Sequence, residues 1–446
     1  MKSGTLRLSA CAMMIGAVLV TPVASAAQFD YTLYSGILYS DNIDLAPIQP
    51  TRQSVFIPGL NFSLAQSGSS VQADVIGNLE YRDYLGGAFS NQTFAQAAGV
   101  VNWAISPQRL VMNLADYANV EPVASLAADA PSNQQQTNVF VLGPTLQFRL
   151  GPTTNAQATL HYINTYAQKT PDFNSSRGAA KLELINDLNA TTQVSANVSS
   201  QHVRFTSTGG GPDYTDNAIY ARYTSQLMQF GIDTLAGWSR LSFNGFPTAS
   251  EPLLRLTASY QASLQSQLTL NLQNALTDAA QSMIAPAQQI ATEIAATARP
   301  TNAFGTMPGI ATGSDVINSQ TFLQRSVEAT YAYSAGRVTL SVSPNYSRFI
   351  YQNETTLDQT GRGISAGLAY RLRPLLTLSA YANAERLNYT NLQRRDTALN
   401  YGLSLIGRRT QNWSWRVSLD HRQRSSTAAG QDYRANEIYF GLMYRR

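Results

Sequence analysis

The sequence has little cysteine, little lysine and no long apolar run after its first 26 residues. Its only cysteine is Cys11, and lysine occurs only at positions 2, 169 and 181. Disulfides, thiolate nucleophiles and cysteine-ligated metals are therefore excluded from residue 27 onward. A membrane-spanning helix needs about 18 consecutive apolar residues. No stretch after residue 26 approaches that length, which excludes a helical membrane protein.

The N-terminal region is typical of a secretory signal. Basic residues precede an apolar run at 12–20, and small residues follow at 24–26. This pattern predicts a signal peptide at 1–26 and export of residues 27–446. Cys11 ends a tetrapeptide that matches a lipoprotein box, but the apolar core follows it instead of preceding it, which argues against lipid attachment.

The rest of the chain alternates apolar and polar residues with a period of two. The clearest segment is WSWRVSLD at 413–420, and similar segments occur at 268–273, 338–343 and 399–405. Such alternation gives a β-strand one apolar face and one polar face. The chain is therefore predicted to be all-β.

Short and long connections alternate between the predicted strands. Nine short turns lie between ten longer polar links, which is the arrangement of an outer-membrane barrel with short periplasmic turns and long extracellular loops. A soluble β-sandwich has no reason to keep its long loops at one end. We predict a transmembrane antiparallel up-and-down β-barrel of about 20 strands (18 to 20) at 27–446, with both termini in the periplasm.

The N-terminal part of the predicted barrel resembles a known family. The segments YSDNIDLAP, VFIPGLNFSL, SGSS and ADVIGNLEYRDYL, in and around residues 29–84, are similar to outer-membrane β-barrel proteins associated with the PEP-CTERM/exosortase system. The resemblance implies an outer-membrane location and a context of exopolysaccharide export. It implies no catalytic residue, because these motifs are structural.

Positive charge is concentrated in the last third of the chain. Residues 320–446 hold 17 Arg and no Lys against 8 acids, whereas residues 1–319 have a balance of −5. An arginine on the lipid face costs about 2 to 4 kcal/mol at the bilayer midplane, so arginines within strands are expected to face the lumen. The predicted lumen residues are Arg325, Arg348, Arg386, Arg416, Arg422 and Arg424.

These arginines have two interpretations. Inward guanidinium groups favour anions, because their planar forks bind carboxylates and phosphates such as those of acidic polysaccharides. Alternatively, the arginines and nearby acids form a salt-bridged girdle that only props the barrel open.

The aromatic residues also have two interpretations. They can stack on sugar rings along a translocation path, but such residues more often form interfacial girdles, which is the interpretation we favour. The residues concerned are Tyr81, Tyr84, Tyr162, Tyr166, Tyr331, Tyr333, Trp413 and Trp415.

The connection at 278–318 is the longest insert in the predicted barrel. Helical spacing of Ile284, Ile290 and Ile294 predicts a short helix within it. The insert can act as a constriction, a plug or a lid, but its thin apolar stripe favours a surface loop. The Asn- and Gln-rich loop at 130–138 is expected to be solvated.

No enzymatic or metal-binding motif stands out. His161, His202 and His421 lie on separate predicted strands, and Asp41 and Asp44 do not match the 12-residue calcium loop. The arginines are spread over strands and are not gathered in a surface helix, which argues against nucleic acid. We expect no catalytic residue, no metal, no cofactor and no nucleic-acid partner.

We predict an outer-membrane channel for secretion or passage of an exopolysaccharide, with an arginine-rich, anion-favouring lumen. Two alternatives remain open: a non-conducting structural or assembly barrel that partners export machinery, and a general small-solute porin. The expected partners are outer-membrane lipid, the barrel-assembly machinery that reads the closing strand EIYFGLMYRR, and an acidic polysaccharide or periplasmic export proteins.

Overall fold

The described residues form one closed β-barrel. The computed structural model describes residues 27–207, 209–284 and 317–446. Twenty strands pair antiparallel in chain order, and the first strand also pairs with the last. The predicted barrel and its strand number are confirmed. The predicted signal peptide at 1–26 lies outside the described residues.

The strand bounds follow the predicted alternation closely. The strands are β1 (Gln28–Ser40), β2 (Gln53–Ser67), β3 (Val71–Tyr84), β4 (Gln92–Ser106), β5 (Leu110–Pro122), β6 (Gln134–Arg149), β7 (Thr154–Ala167), β8 (Ser175–Asn189), β9 (Thr192–Phe205), β10 (Tyr214–Gln226), β11 (Phe230–Phe243), β12 (Ala249–Ser263), β13 (Ser266–Asp278), β14 (Thr321–Ala335), β15 (Val338–Tyr351), β16 (Gln359–Arg373), β17 (Leu376–Tyr389), β18 (Arg394–Arg408), β19 (Trp413–Ser426) and β20 (Tyr433–Arg445). Short 3₁₀ helices lie at Pro131–Asn133, Pro171–Phe173 and Thr355–Leu357, and residues 279–284 are helical.

The turns at one end of the barrel are tight. β14 and β15, for example, are joined by two residues, and Gly336 adopts a φ of 55° there, a conformation that glycine reaches without a Cβ penalty. The connections at the other end include every long one. Long connections are extracellular in outer-membrane barrels, so we assign this end to the cell exterior and the tight turns to the periplasm.

Each strand places alternate residues on the outer and inner faces of the barrel. On β20, Ile438, Phe440 and Leu442 point outward and are 50%, 52% and 49% exposed, whereas Glu437 and Tyr439 point inward and are buried. The outer faces of neighbouring strands align in register and form an apolar band around most of the ring, which is interrupted at the buried Asp116 on β5. A closed sheet with this band satisfies its backbone hydrogen bonds without water, which is the requirement for crossing a bilayer with strands.

The ladder between β1 and β20 closes the barrel. It runs from Thr32 opposite Arg445 to Ser40 opposite Glu437. This seam pairs the backbone groups of the first and last strands, which would otherwise form two open edges able to template pairing with another chain. Within the described part of the chain, no helix is long and apolar enough to cross a bilayer.

Candidate functional site in the barrel lumen

A cluster of arginines lies on the inner face of β18 and β19 near the extracellular end. Arg394 and Asp396 form a close ion pair, with Arg394 Nε 2.9 Å from Asp396 Oδ1 and Nη2 2.6 Å from Oδ2. Arg422 and Arg424 stand beside them on β19, opposite Asn400 and Ala398 in register. The cluster concentrates positive charge on one side of the lumen mouth.

The connection between β5 and β6, residues 123–133, reaches this cluster from another part of the wall. Arg394 Nη2 donates to the carbonyl oxygen of Leu126 at 2.8 Å, and Arg424 Nη1 donates to that of Ala127 at 3.1 Å. β5 and β18 are not neighbours in the barrel, so these contacts span the opening. We call residues 123–133 the β5–β6 insert.

Acidic and amide groups engage the same arginines. Arg422 lies 3.9 Å from Asp129 of the insert and 3.9 Å from Glu437 of β20. Arg424 Nη2 donates to Gln431 Oε1 at 2.6 Å. The guanidinium groups therefore hold the protein's own β5–β6 insert and do not form an unoccupied anion-binding wall.

Asn133 fixes the shape of the β5–β6 insert. Its Oδ1 accepts a hydrogen bond from the Ala124 amide at 2.9 Å, and its Nδ2 donates to the carbonyl oxygens of Ala124 and Ala128 at 2.9 and 3.0 Å. The insert is a folded element with its own internal hydrogen bonds. It presents the carbonyl groups of Leu126 and Ala127 to the arginines.

The prediction of a solvated loop at 130–138 is wrong. Ala130 is 6% exposed and Gln135 only 1%. Gln135 Nε2 donates to Thr170 Oγ1 at 2.8 Å. An amide-rich sequence is buried here because its polar groups find partners within the protein, which removes the penalty of desolvating them.

The extracellular end of the β13–β14 hairpin leaves the barrel wall. The ladder between β12 and β13 ends at Leu254 opposite Asn274, so within the described part of the chain residues 275–278 have no strand partner on that side. Leu276 and Leu323 continue the outward register of this hairpin, yet they are 4% and 2% exposed. They pack against the inner-face residues Val203, Tyr214 and Leu241 of β9, β10 and β11. The end of the hairpin therefore leans inward over the lumen.

A buried ion pair anchors this inward end. Asp278, the last residue of β13, lies with its Oδ2 2.5 Å from Nη1 of Arg177 on β8. Tyr214 donates its hydroxyl hydrogen bond to the same carboxylate oxygen. The side chains of Arg177 and Asp278 are each 2% exposed, so the pair is isolated from solvent and connects strands that are five positions apart in the barrel.

Both described ends of the long connection between β13 and β14, residues 279–320, continue the inward path. Ala279, Ala280 and Ile317 are at most 4% exposed and belong to a buried cluster with inner-face residues of β3 to β8. Gln281 Nε2 donates to Gln201 Oε1 at 2.8 Å. These ends lie inside the lumen mouth, unlike the surface loop that the sequence favoured. Residues 285–316 lie outside the described part of the chain.

Arg416 faces the lumen lower on β19, closer to the periplasm. It is 6% exposed, and within the described residues its Nε has no hydrogen-bond partner. Asp420, on the same inner face, accepts a hydrogen bond from the hydroxyl of Tyr381 at 2.7 Å. Among the predicted lumen residues, Arg416, Arg422 and Arg424 lie on the inner face.

Arg325, Arg348 and Arg386 face outward, so their predicted placement in the lumen is wrong. Arg325 is registered with Arg348 and lies two residues from the lipid-facing Val327, which is 42% exposed. Arg386 is registered with Arg362 on the same outer face. All three lie near the extracellular ends of their strands. The cost of an outward arginine falls toward zero there, so the argument that forced them inward does not apply.

Most of the aromatic residues considered for sugar stacking point outward. Tyr162 and Trp413, for example, are each 50% exposed on the outer face, and Trp413 packs against Tyr444 with ring centroids 5.2 Å apart. Tyr84 is the exception in this set, because it points inward and is 3% exposed. The outward positions fit interfacial girdles.

The histidines and the acidic loop residues do not converge. His161 faces inward, whereas His202 and His421 face outward on separate strands. Asp44 accepts hydrogen bonds from Thr51 within its own loop. Within the residues that the structure describes, no group of three or more His, Cys, Asp or Glu side chains is placed to hold a metal ion.

Sequence reasoning missed the residues that close the lumen. Arg177, Tyr214 and Asp278 are far apart in sequence and carry no motif, so only the inward lean of the hairpin brings them together. One signal was present: Asp278 is an acid at the end of a strand that leads directly into a long insert. An acid there favours a helix start, and Asp278 Oδ1 indeed accepts the Gln281 amide at 2.9 Å.

Comparisons with known proteins give one partial family match and several distant structural similarities. A family model described as "Surface lipoprotein assembly modifier" matches residues 316–445, which contain β14 to β20. No curated protein matches the chain. A double mutant of the ferric enterobactin receptor of Pseudomonas aeruginosa is 9% identical, covers 95% of this chain and 81% of its own, and has a TM-score of 0.48.

Two further solved structures have the same kind of similarity. The FrpB iron transporter of Neisseria meningitidis (F3-3 variant) is 10% identical, with 97% of this chain and 83% of that chain covered and a TM-score of 0.45. The Vibrio cholerae outer membrane protein OmpT with one loop deleted is 9% identical, with 95% and 100% covered and a TM-score of 0.34.

The closed sheet and its apolar outer band fit one location, the outer membrane, which confirms the predicted one. The protein is an outer-membrane β-barrel whose lumen is occupied near its extracellular end by two of its own connections.

Proposed function

We propose that this protein assists the surface assembly of an exported lipoprotein, and that its barrel rests in a closed state. The observation that carries the proposal is the occupied lumen mouth: the β5–β6 insert reaches Arg394 and Arg424 across the opening, and Asp278 is anchored to Arg177. A passive diffusion channel has no need for a connection and a hairpin end that bind distant strands across the lumen mouth.

The contacts of the two connections differ in strength. The β5–β6 insert is held by carbonyl groups and by one ion pair of 3.9 Å, and each such hydrogen bond to a charged group contributes about 1.5 to 3 kcal/mol. The β13–β14 end is held by a buried ion pair and an apolar cluster. The β5–β6 insert is therefore the part that a substrate displaces first.

The family match supports the assembly role. It covers β14 to β20, and these strands include Arg394, Arg422 and Arg424, which hold the β5–β6 insert. The matched region thus contains the side of the lumen on which closure depends. Under this proposal the route through the barrel opens only when a lipoprotein client is present.

The test compares cells of the source bacterium with and without this chain. Intact cells are treated with a protease that does not cross the outer membrane, and cleaved lipoproteins are identified by mass spectrometry. We expect at least one lipoprotein to lose its surface exposure in the deletion strain while its total amount stays the same. An unchanged set of surface-exposed lipoproteins contradicts the proposal.

A second candidate is passage of an exopolysaccharide, as the resemblance of residues 29–84 implies. It is favoured by the inner face of β15, which presents hydroxyl and amide groups and no charge at five successive inward positions: Thr339, Ser341, Ser343, Asn345 and Ser347. Such groups hydrogen-bond sugar hydroxyls without attracting ions. Under this candidate Arg416, Arg422 and Arg424 give the opened lumen its preference for anions.

Secreted polysaccharide separates the two candidates. The deletion strain loses extracellular polysaccharide under the second candidate and keeps it under the first. Planar-bilayer recordings of the refolded barrel address the small-solute porin: a large, steady conductance without any opening event supports a porin and contradicts closure by the two connections.

A further inference from the structure

The outer face of β14 to β18 carries one arginine on each strand, close to the extracellular end. The five side chains are exposed. Two pairs stand directly opposite each other in register, Arg325 with Arg348 and Arg362 with Arg386. Arg395 completes the set, which we call the arginine belt: Arg325, Arg348, Arg362, Arg386 and Arg395.

The belt has almost no compensating negative charge. The outward positions of these five strands hold no Asp or Glu. Within the described part of the chain, no carboxylate lies within 4 Å of Arg348, Arg362 or Arg386, and Arg325 is 4.0 Å from Glu251 at the edge of the belt. Like charges directly opposite each other destabilise a sheet, so an anion bound between the paired arginines would relieve this repulsion.

The height of the belt is set by the apolar band beneath it. On β16 the outward residues from Ile364 to Leu372 are lipid-facing, and Ile364 is 47% exposed. Eight residues span about 26 Å along a strand, and the usual tilt reduces this to about 20 Å, close to the band of roughly 25 Å in outer-membrane barrels. Arg362, two residues above Ile364, therefore lies at the level of the outer-leaflet headgroups.

We propose that the arginine belt is a binding site for the phosphate groups of a phosphorylated glycolipid in the outer leaflet. The site is continuous with the lipid-facing band, so the acyl chains of the same lipid lie against Ile364 and Val327 while its phosphates meet the guanidinium groups. A lipid bound in this way replaces the repulsion within each arginine pair by attraction to a shared anion.

The neighbours of the belt suit phosphate binding. The hydroxyl-bearing residues Thr360 and Thr397 are registered with Arg348 and Arg386 on the outer face. The guanidinium of Arg362 lies 5.9 Å from the ring centroid of Tyr346, which holds it at the interface by a cation–π contact. The paired guanidinium groups and the two threonine hydroxyls are all hydrogen-bond donors. Together they offer more donors than a single phosphate group can use.

The rest of the barrel provides an internal control. Arg240 on β11 also faces outward near the extracellular end, but it is registered with Asn217 and Ser250 and has no arginine opposite it. Within the described strands, arginines that stand opposite each other in register occur only in the belt. Arg240→Gln removes an outward charge at a similar height without touching the belt.

The experiment measures lipid binding to the refolded barrel in non-ionic detergent. The probes are diphosphorylated lipid A, dephosphorylated lipid A, phosphatidylglycerol and inorganic phosphate, and the readouts are affinity and Tm. We expect wild type and Arg240→Gln to bind diphosphorylated lipid A equally, and the triple variant Arg348→Gln/Arg362→Gln/Arg386→Gln to bind at least ten-fold more weakly. We further expect the triple variant to have a higher Tm than wild type in lipid-free detergent, because repulsion has been removed.

Three outcomes overturn the proposal. One is equal affinity of wild type and the triple variant for diphosphorylated lipid A. Another is equal affinity of wild type for the phosphorylated and dephosphorylated lipids. The third is saturation of the site by inorganic phosphate at the same concentration as by diphosphorylated lipid A, because the acyl chains would then contribute nothing to binding. If the triple variant does not fold, as judged by heat modifiability on a gel, Arg386→Gln alone gives the same comparison.

Discussion

Replacing Asp278 by Asn is the sharpest perturbation of lumen closure. The change keeps the shape of the side chain and the partner of the Tyr214 hydroxyl, but it leaves the Arg177 guanidinium buried without a counter-charge. Removing one partner of a buried ion pair destabilises the structure that contains it by about 3 to 5 kcal/mol. The ratio of docked to undocked hairpin ends then falls by roughly 150- to 4,000-fold.

Single-channel recording in planar bilayers measures this ratio directly. We expect wild type to pass current only in rare openings, and Asp278→Asn to open much more often while its fully open conductance stays the same. The double variant Arg177→Met/Asp278→Asn is the matched control. It removes the unpaired buried charge while an amide oxygen at position 278 still accepts the Tyr214 hydroxyl, so it should restore closure. Equal opening frequencies in wild type and Asp278→Asn would refute the anchoring role of this ion pair.

Three further predictions test the other parts of the barrel. Asp396→Asn leaves Arg394 unpaired, so we expect faster protease cleavage within residues 123–133, whereas unchanged cleavage would contradict docking. Leu368→Arg on the lipid face should lower the free energy of unfolding by about 2 to 4 kcal/mol in urea titrations of the liposome-inserted barrel, and Thr360→Arg near the rim by less than about 1 kcal/mol. Equal losses would refute the assigned membrane height. Deletion of 124–129 removes most of the β5–β6 insert and should raise the resting conductance of the barrel. An unchanged current would show that another part of the protein blocks the lumen.

The barrel was predictable because two signals reinforce each other over the whole chain. Residues 413–420 show the period of two that an amphipathic strand requires, and the alternation of tight turns and long connections fixes which ends share a side. Neither signal depends on distant contacts. The strand that starts the sheet and the strand that closes it are therefore both recognisable from local sequence.

It was harder to predict whether an individual arginine points into the lumen or outward, because the local alternation does not show the height of a residue relative to the membrane. Arg416 and Arg348 both occur in alternating segments, but Arg416 lies low on its strand and faces inward, whereas Arg348 lies near the rim and faces outward. Because the strands are longer than the thickness of the membrane, an inward arginine low on a strand and an outward arginine near the rim are both stable. Only the register with the neighbouring strands distinguishes them.

Lumen closure was not predictable for a different reason. Arg177 and Asp278 meet only because β13 separates from β12 above Asn274, and a missing ladder leaves no trace in hydrophobic periodicity. The β5–β6 insert is an alanine-rich connection without a recognisable motif. Its partners lie on strands that the chain reaches more than 260 residues later, and such pairing depends on the completed ring.

The ladder from Thr32 to Arg445 has a consequence for biogenesis. It joins the first strand to the last, so it has the largest sequence separation of any pairing in the sheet, and contacts of that kind form slowly because the intervening chain must be ordered first. Until Arg445 has been synthesised and delivered to the membrane, the inserting sheet carries two unpaired edges that can pair with a neighbouring chain. A truncation that removes β20 would therefore yield an aggregation-prone intermediate instead of a smaller barrel. Pairing of β20 with β1 is the step that covers both edges and prevents self-association through them.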